Sequence, residues 1–408
     1  MQDDLLALSE RLFVSAAVRG ERSSVNGDRN KMFYFPRVAA SYRWTTPGLK
    51  IDEIKFRANY GQSGNQPNYG DRDIIVANYG IISGQTGYGV PNTVGNSGIR
   101  PERLAETELG IDFSMYRERV HFEITHFNRD ITDLLVRPLL AASTGVTQTV
   151  VNGGTMAAKG WEVGSSFVPV ENWRGLQWLT RVSWQQNESR ITSFPAGVLP
   201  FTIGAAGGFG NAYGRLRFTS GNTASSIYGN FKDPVTGAVT PNFKLGDANP
   251  RATITWGNEL SWKKWSASIL MDYRSGGTIS NMTMNLFDEG HNTWDYDKTS
   301  PTAGKPLGAY RYDTWSGGSN TKVYLVDGSV AKVRELNLSY EIPASFVKSM
   351  PGAKSMRVSV SGRNLFIISP YNGFDPEVNN GGNQVSRFVD LAPFPPSRSF
   401  EFKLNVGF

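Results

Sequence analysis

The chain has 408 residues, no cysteine, 44 glycines, 39% hydrophobic residues and a formal net charge of +6. No stretch approaches the roughly 18 consecutive apolar residues of a membrane helix, so helical spanning is excluded. Without cysteine there is no disulfide framework, thiolate metal site or cysteine nucleophile, and the scattered Lys and Arg form no basic stripe for nucleic acid.

The N-terminus, Met1-Gln2-Asp3-Asp4-Leu5-Leu6, carries no basic, apolar, small-residue export signal. From there on, the sequence alternates with a period of two, the signature of strands with one oily and one wet face. Leu12, Val14, Ala16 and Val18 give the apolar side of the first predicted strand. Pro36, Val38, Ala40, Tyr42 and Trp44 give the second, and Ile54, Phe56, Ala58 and Tyr60 the third. Thr107, Leu109, Ile111, Phe113 and Met115 alternate with Glu106, Glu108, Gly110, Asp112 and Ser114. After an Arg117-Glu118-Arg119 turn come Val120, Phe122 and Ile124. Further strands are predicted near 159–168, 176–187, 251–262, 265–274, 331–342, 355–366 and 398–408, which makes about twelve.

Two of these segments show the pattern most clearly. Ala252, Ile254, Trp256, Leu260 and Trp262 share a face, a Lys263-Lys264 turn follows, and Trp265, Ala267, Ile269, Met271 and Tyr273 repeat it. Trp262 and Trp265 bracket the turn, as aromatics do at a membrane–water boundary. The last ten residues put Phe400, Phe402, Leu404, Val406 and the terminal Phe408 on one side.

The predicted connections alternate in length. Those near 45–52, 116–119, 169–175, 263–264 and 343–354 are short, whereas those near 20–33, 62–103, 131–158, 188–250, 275–330 and 367–397 are long. Loops above about 15 residues are uncommon in compact domains, and outer-membrane barrels place long loops on one side and short turns on the other. The sequence therefore predicts an all-β chain forming an antiparallel transmembrane β-barrel wall, as one domain over 1–408.

Several stretches resemble the C-terminal part of SusC/RagA-like TonB-dependent outer-membrane transporters. They include Phe35-Pro36-Arg37-Val38, Phe56-Arg57-Ala58-Asn59-Tyr60-Gly61-Gln62-Ser63-Gly64-Asn65-Gln66 and Ile99-Arg100-Pro101-Glu102-Arg103-Leu104-Ala105-Glu106. This last stretch is similar to the family's "NPDLKWE" strand entry, with Leu104 in place of its Trp. Asn152-Gly153-Gly154-Thr155 with Gly160-Trp161-Glu162 follows, departing from the family pattern at Ala158 and Lys159. Then come Asp327-Gly328-Ser329-Val330 with its continuation to Pro343, Gly362-Arg363-Asn364-Leu365-Phe366 and Gly373-Phe374-Asp375-Pro376-Glu377. The motifs run in family order from about residue 9 to the end.

The resemblance implies a barrel of roughly twenty-two strands plugged from inside, of which this chain would be the later half. The signal peptide, plug, TonB-contacting segment and first strands would lie outside it. It further implies an outer-membrane protein of a Bacteroidetes-like Gram-negative bacterium that imports oligosaccharides or peptides. Partners would be a SusD-like surface lipoprotein, TonB–ExbB–ExbD and outer-membrane lipids. A passive pore or surface-binding barrel is the alternative reading.

No catalytic constellation, cofactor or metal set is expected. His121 and His126 fall on opposite faces of one strand, and no G-x-S-x-G elbow occurs. The run Gly207-Gly208-Phe209-Gly210 reads as a loop and not a phosphate cradle. Asp288, Glu289, Asp295 and Asp297 offer oxygens to calcium but lack EF-hand spacing, so a solvated loop is favoured. Asp375-Pro376-Glu377 reads as a turn element. Trp294, Tyr296, Tyr310, Tyr312 and Trp315 are the candidate ligand-binding residues, since sugar rings stack on aromatics. The competing reading has these aromatics packing the loop onto itself or onto a lid protein.

Overall fold

A computed structural model of the protein describes residues 1–45, 50–82, 84–89, 92–195, 198–205, 210–377 and 388–408. Its main feature is a thirteen-stranded sheet in strict chain order, each strand antiparallel to the next. The first six strands are β1 (Gln2–Ala7), β2 (Leu12–Glu21), β3 (Phe33–Trp44), β4 (Ile51–Asn65), β5 (Glu102–Met115) and β6 (Val120–Thr132). Next come β7 (Thr155–Trp173), β8 (Leu176–Ser193), β9 (Ala252–Trp262) and β10 (Trp265–Ser275). β11 (Val330–Glu341), β12 (Ser355–Ile368) and β13 (Ser399–Gly407) complete the wall.

Twelve of the strands lie where alternation predicts them; β1 was not expected. Its Gln2-Asp3-Asp4 start provides no apolar face, yet it pairs with β2 from Gln2↔Ala17 to Ala7↔Leu12. The turn between them runs through Leu8, Ser9 and Glu10, all at positive φ.

Register turns the alternation of each strand into a property of the whole wall. Tyr42, Phe56, Ile111, Ile124, Val163, Trp184, Ile254 and Tyr273 stand opposite one another in an unbroken row from β3 to β10. One residue along, the row reads Lys55, Asp112, Glu123, Gly164, Ser183, Thr255 and Asp272. A strand slipped by one residue would put charges into the apolar row, so the pattern itself fixes the register. The apolar face is open to the surroundings: Phe402 is 77% and Leu404 62% exposed, and Trp256 also faces outward.

The wet face holds itself together by charge. Arg57 donates from Nε and NH2 to Asp112 on the adjacent strand, at 2.9 and 2.7 Å, and also to Thr125. Gly110 makes this possible, because a Cβ there would lie 2.8 Å from the Arg57 Cζ. Some polar groups on the oily face pair with one another: Trp178 Nε1 donates to Asn258 Oδ1 at 3.1 Å and Trp256 Nε1 to Thr180 Oγ1 at 3.0 Å, whereas Asn258 Nδ2 and His126 Nδ1 are buried without a partner among the described residues. Such pairing is what an apolar solvent demands of a buried donor.

The wall's connections alternate as expected. The short side includes two-residue turns at Arg174-Gly175 and Lys263-Lys264, and the long side holds 22–32, 66–101, 133–154, 194–251, 276–329 and 369–398. The long connections are not bare loops. That after β8 forms an antiparallel four-stranded sheet from Phe201–Ala205, Arg215–Phe218, Ser226–Lys232 and Val239–Asp247. That after β10 carries Thr278–Asn281, helices α1 (Met282–Glu289) and α2 (Leu307–Trp315), and Leu325–Asp327. Val389–Asp390, from the last long connection, lies parallel to Thr278–Asn281.

The hydrophobic core sits here and not in the wall. Tyr213, Leu216, Ile227, Met282, Met284, Trp315, Tyr324, Phe388 and Val389 form one buried cluster drawn from three connections. The wall is oily outside and wet inside, with only scattered buried apolar residues such as Phe35 and Phe127, so the apolar cluster forms at the end where long segments fold over one another.

Candidate functional site at the long-connection end

The two helices build the middle of this end. Asn281 caps α1 by accepting from the Met284 N–H at 2.9 Å, satisfying one of the donors a helix start leaves over. On α2, Arg311 lies one turn before Trp315, so both point to the same side. Arg311 donates from Nε and NH2 to Asp288 at 2.7 and 2.6 Å, and from NH2 to Asp295 at 2.8 Å. Asp288 is 1% exposed and also accepts from the Tyr324 hydroxyl at 3.0 Å and from Thr293.

This clamp corrects the solvated-loop reading of the acidic group, since Asp288 is buried and paired with Arg311. Asp288 and Asp295 share Arg311 as their ion-pair partner, and among the described residues no three acidic or histidine side chains come together as a metal set. Burial by itself would lower the Arg311 pKa, but the hydrogen bonds to Asp288 and Asp295 outweigh it and raise it. Burial, with the Asp288 charge, pushes the Tyr324 hydroxyl well above its usual range. Tyr213, whose hydroxyl donates to Asn285 Oδ1 at 2.6 Å, is pushed up to about 12, chiefly by burial.

The five predicted aromatics fall into three groups. Trp315 is 8% exposed and belongs to the core; its Nε1 donates to the Ala212 carbonyl at 3.0 Å, and its ring lies 5.2 Å from Tyr213 and 5.6 Å from Tyr312. Tyr312, Tyr310 and Tyr296 are half-buried, Tyr296 with its ring 5.1 Å from His291. Trp294 stands apart, 52% exposed, with its ring 6.1 Å from that of Phe374. Phe374 is itself 54% exposed and comes from a different long connection. Sequence reasoning singled out its Gly373-to-Glu377 stretch as a motif but not this ring as a partner for Trp294.

Beneath Phe374, the Asp375-Pro376-Glu377 stretch is more than a turn. Lys332 on β11 donates to both Asp375 oxygens at 2.6 Å and also reaches Glu377. Arg334 meets Glu377 through two bonds of 2.6 Å and Asp272 at 2.7 Å, and Arg274 lies 2.9 Å from Glu377. Three cations and three carboxylates thus tie the last long connection to the wet face of the wall. Burial would raise the Glu377 pKa, but the hydrogen bonds from Arg334 and Lys332 hold it at about 2.

A polar cleft opens beside this assembly, bounded by Asn187, Thr223, Asp247, Arg251, Lys322 and Asp327 from β8 and the long connections after β8 and β10. Its volume is about 680 Å³, within the ~300–1,000 Å³ of sites that take small organic molecules. Asp247 is fixed by Ser225 Oγ at 2.6 Å and the Asn249 N–H at 3.0 Å, and Asp327 by Ser329 Oγ at 2.8 Å. Such fixed acceptors suit hydroxyl and amide donors. The glycine run at 207–209 lies outside the described residues.

His121 bonds Glu123 at 3.1 Å on the wet face, while His126 packs against Trp161 on the oily one. The expectation that they cannot share a metal follows from that separation.

Comparison with known proteins matches this architecture. The family model "TonB dependent receptor-like, beta-barrel" covers residues 2–365. TonB-dependent receptor P3 of Formosa agariphila is 25% identical across 98% of this chain and 44% of its own. TonB-dependent receptor SusC of Bacteroides thetaiotaomicron is 23% identical across 98% of this chain and 43% of its own. A solved structure of the RagAB peptide transporter superposes with a TM-score of 0.78 at 16% identity, over 98% of this chain and 46% of that one. The chain thus spans less than half the length of each of these relatives. With a matched family model over most of its length and a wall of the expected alternation, the chain belongs to the TonB-dependent receptor-like β-barrel family.

Proposed function

We propose that the chain forms the barrel wall and mouth of an energised outer-membrane importer of SusC/RagA type, in a Bacteroidetes-like Gram-negative bacterium. The carrying observation is the two-faced wall: an apolar row toward acyl chains, a charged row toward a lumen, and a folded cap at one end only. On this reading the short turns are periplasmic and the long connections extracellular. TonB–ExbB–ExbD would supply energy through parts of the protein beyond this chain, and a SusD-like lipoprotein would cover the mouth. We read the protein as a transporter and not an enzyme, since among the described residues no group is placed for acid–base or nucleophilic chemistry.

The cargo we infer is a large polar nutrient, an oligosaccharide or a peptide. Exposed Trp294 offers a stacking face, the polar cleft offers fixed acceptors, and buried Trp315 anchors the cap. Uptake of labelled oligosaccharides and peptides by cells carrying the intact protein, with and without TonB, tests this reading. Uptake that persists without TonB would establish the passive pore instead. Co-purification of a surface lipoprotein with the intact protein tests the lid.

A further inference from the structure

At the short-turn end, on the oily face, the hairpins β7–β8 and β9–β10 form a notch that the transport reading does not use. Its walls are Trp173, Leu176, Leu260, Trp262 and Trp265, and its floor is Ala267. Register explains the hollow. Leu176, Trp262, Trp265 and Tyr340 stand in one row across β8 to β11, and Leu260, Ala267 and Leu338 stand in the row behind. Ala267 is the smallest member of either row, so a groove opens where a large residue would have filled the surface.

The rim of this groove is cationic. Arg174 and Lys263 occupy the tips of the two turns, both at positive φ, and the Lys263 N–H donates to the Gly175 carbonyl at 3.1 Å. That bond holds two turns from different hairpins side by side. The Arg174 Cζ lies 5.4 Å from the Trp173 ring centre and the Lys263 Nζ 5.0 Å from that of Trp262, which keeps both heads at the level of the aromatic row. Neither is in an ion pair with a carboxylate among the described residues.

We propose that this notch binds one glycerophospholipid, its phosphate between Arg174 and Lys263 and an acyl chain along Leu260 and Ala267. Charge complementarity selects an anion at the rim, and the apolar walls select a hydrocarbon chain continuing from it. Neither half alone matches both features: a free phosphate leaves the groove unfilled, and a neutral hydrocarbon leaves the cations unmatched. The inference rests on the barrel family and not on the cargo, so it stands or falls separately from the transport reading.

The test uses the intact protein extracted from outer membranes, with phosphatidylglycerol and phosphatidylethanolamine in mixed micelles as probes and native mass spectrometry as the readout. Retention of a lipid is expected to weaken about thirtyfold in the R174Q/K263Q double variant, the loss of two interfacial cations. Ala267→Phe fills the groove without changing charge and is expected to lose the lipid while the barrel keeps its folded, heat-modifiable band. Parent-like retention by either variant overturns the proposal. Displacement of the lipid by inorganic phosphate also overturns it, since the site would then be an anion site without a hydrocarbon seat.

Discussion

Arg311 shows how one side chain organises the mouth. Its guanidinium is 12% exposed and meets two carboxylates, one of them fully buried. Removing one partner of such a group leaves the other charged and unsolvated, which costs about 3–5 kcal/mol. Arg311→Met should therefore unravel α1 and α2 locally without opening the wall, read as faster hydrogen exchange across 282–315 with β-strand protection unchanged. The aromatics separate by the same logic. Trp294→Ala should weaken cargo binding by about 1 kcal/mol, roughly fivefold, with no loss of stability. Trp315→Ala should cost about 3–5 kcal/mol of cap stability by opening a cavity, seen as proteolysis of the long connections. Equal cargo affinity for the Trp294 variant and its parent, measured by calorimetry, would remove that ring from the site.

At the scale of elements, the last long connection is held by an ionic latch with a calculable pH range. The folded-state pKa of Glu377 is depressed from 4.5 to about 2, so its contribution is full above the unfolded value and fades as pH falls from about 4.5 toward 2. Cleavage by an acid-active protease within 369–398 is expected to stay constant from neutral pH to about 5 and to rise below about 4. Glu377→Gln should raise it already at neutral pH. The strands were legible in the sequence because Ala252 to Trp262 and Phe400 to Phe408 repeat a period of two that only a two-faced ribbon satisfies. β1 was not, because Gln2, Asp3 and Asp4 have no oily side and owe their conformation to pairing with β2. The helices were hidden for a different reason. Residues 282–289 bury polar Thr283, Asn285 and Asp288 along with Met282 and Met284, so burial there follows tertiary contacts and hydrogen bonds instead of an apolar stripe. Likewise, the meeting of Trp294 with Phe374, 80 residues apart, depends on how two connections fold together.

Across the whole molecule the opposite faces of the wall should answer differently to the same change. Ile254→Arg puts a charge into the apolar row and should destabilise the barrel by about 2–4 kcal/mol in lipid. Thr255→Arg, one residue along, points to the wet face beside Asp272 and should be nearly neutral. Denaturant titration in vesicles would compare them, and equal losses would refute the assignment of faces. The placement of the only extended apolar cluster among the described residues at one rim has a further consequence. The ladder of strands is secured by backbone bonding and by its oily coat, whereas the cap is secured by its own nucleus and by ion pairs such as the Lys332–Asp375 tether. On the proposed reading, sequence drift in the cap would reshape what the mouth recognises while the bilayer-crossing scaffold stays as it is.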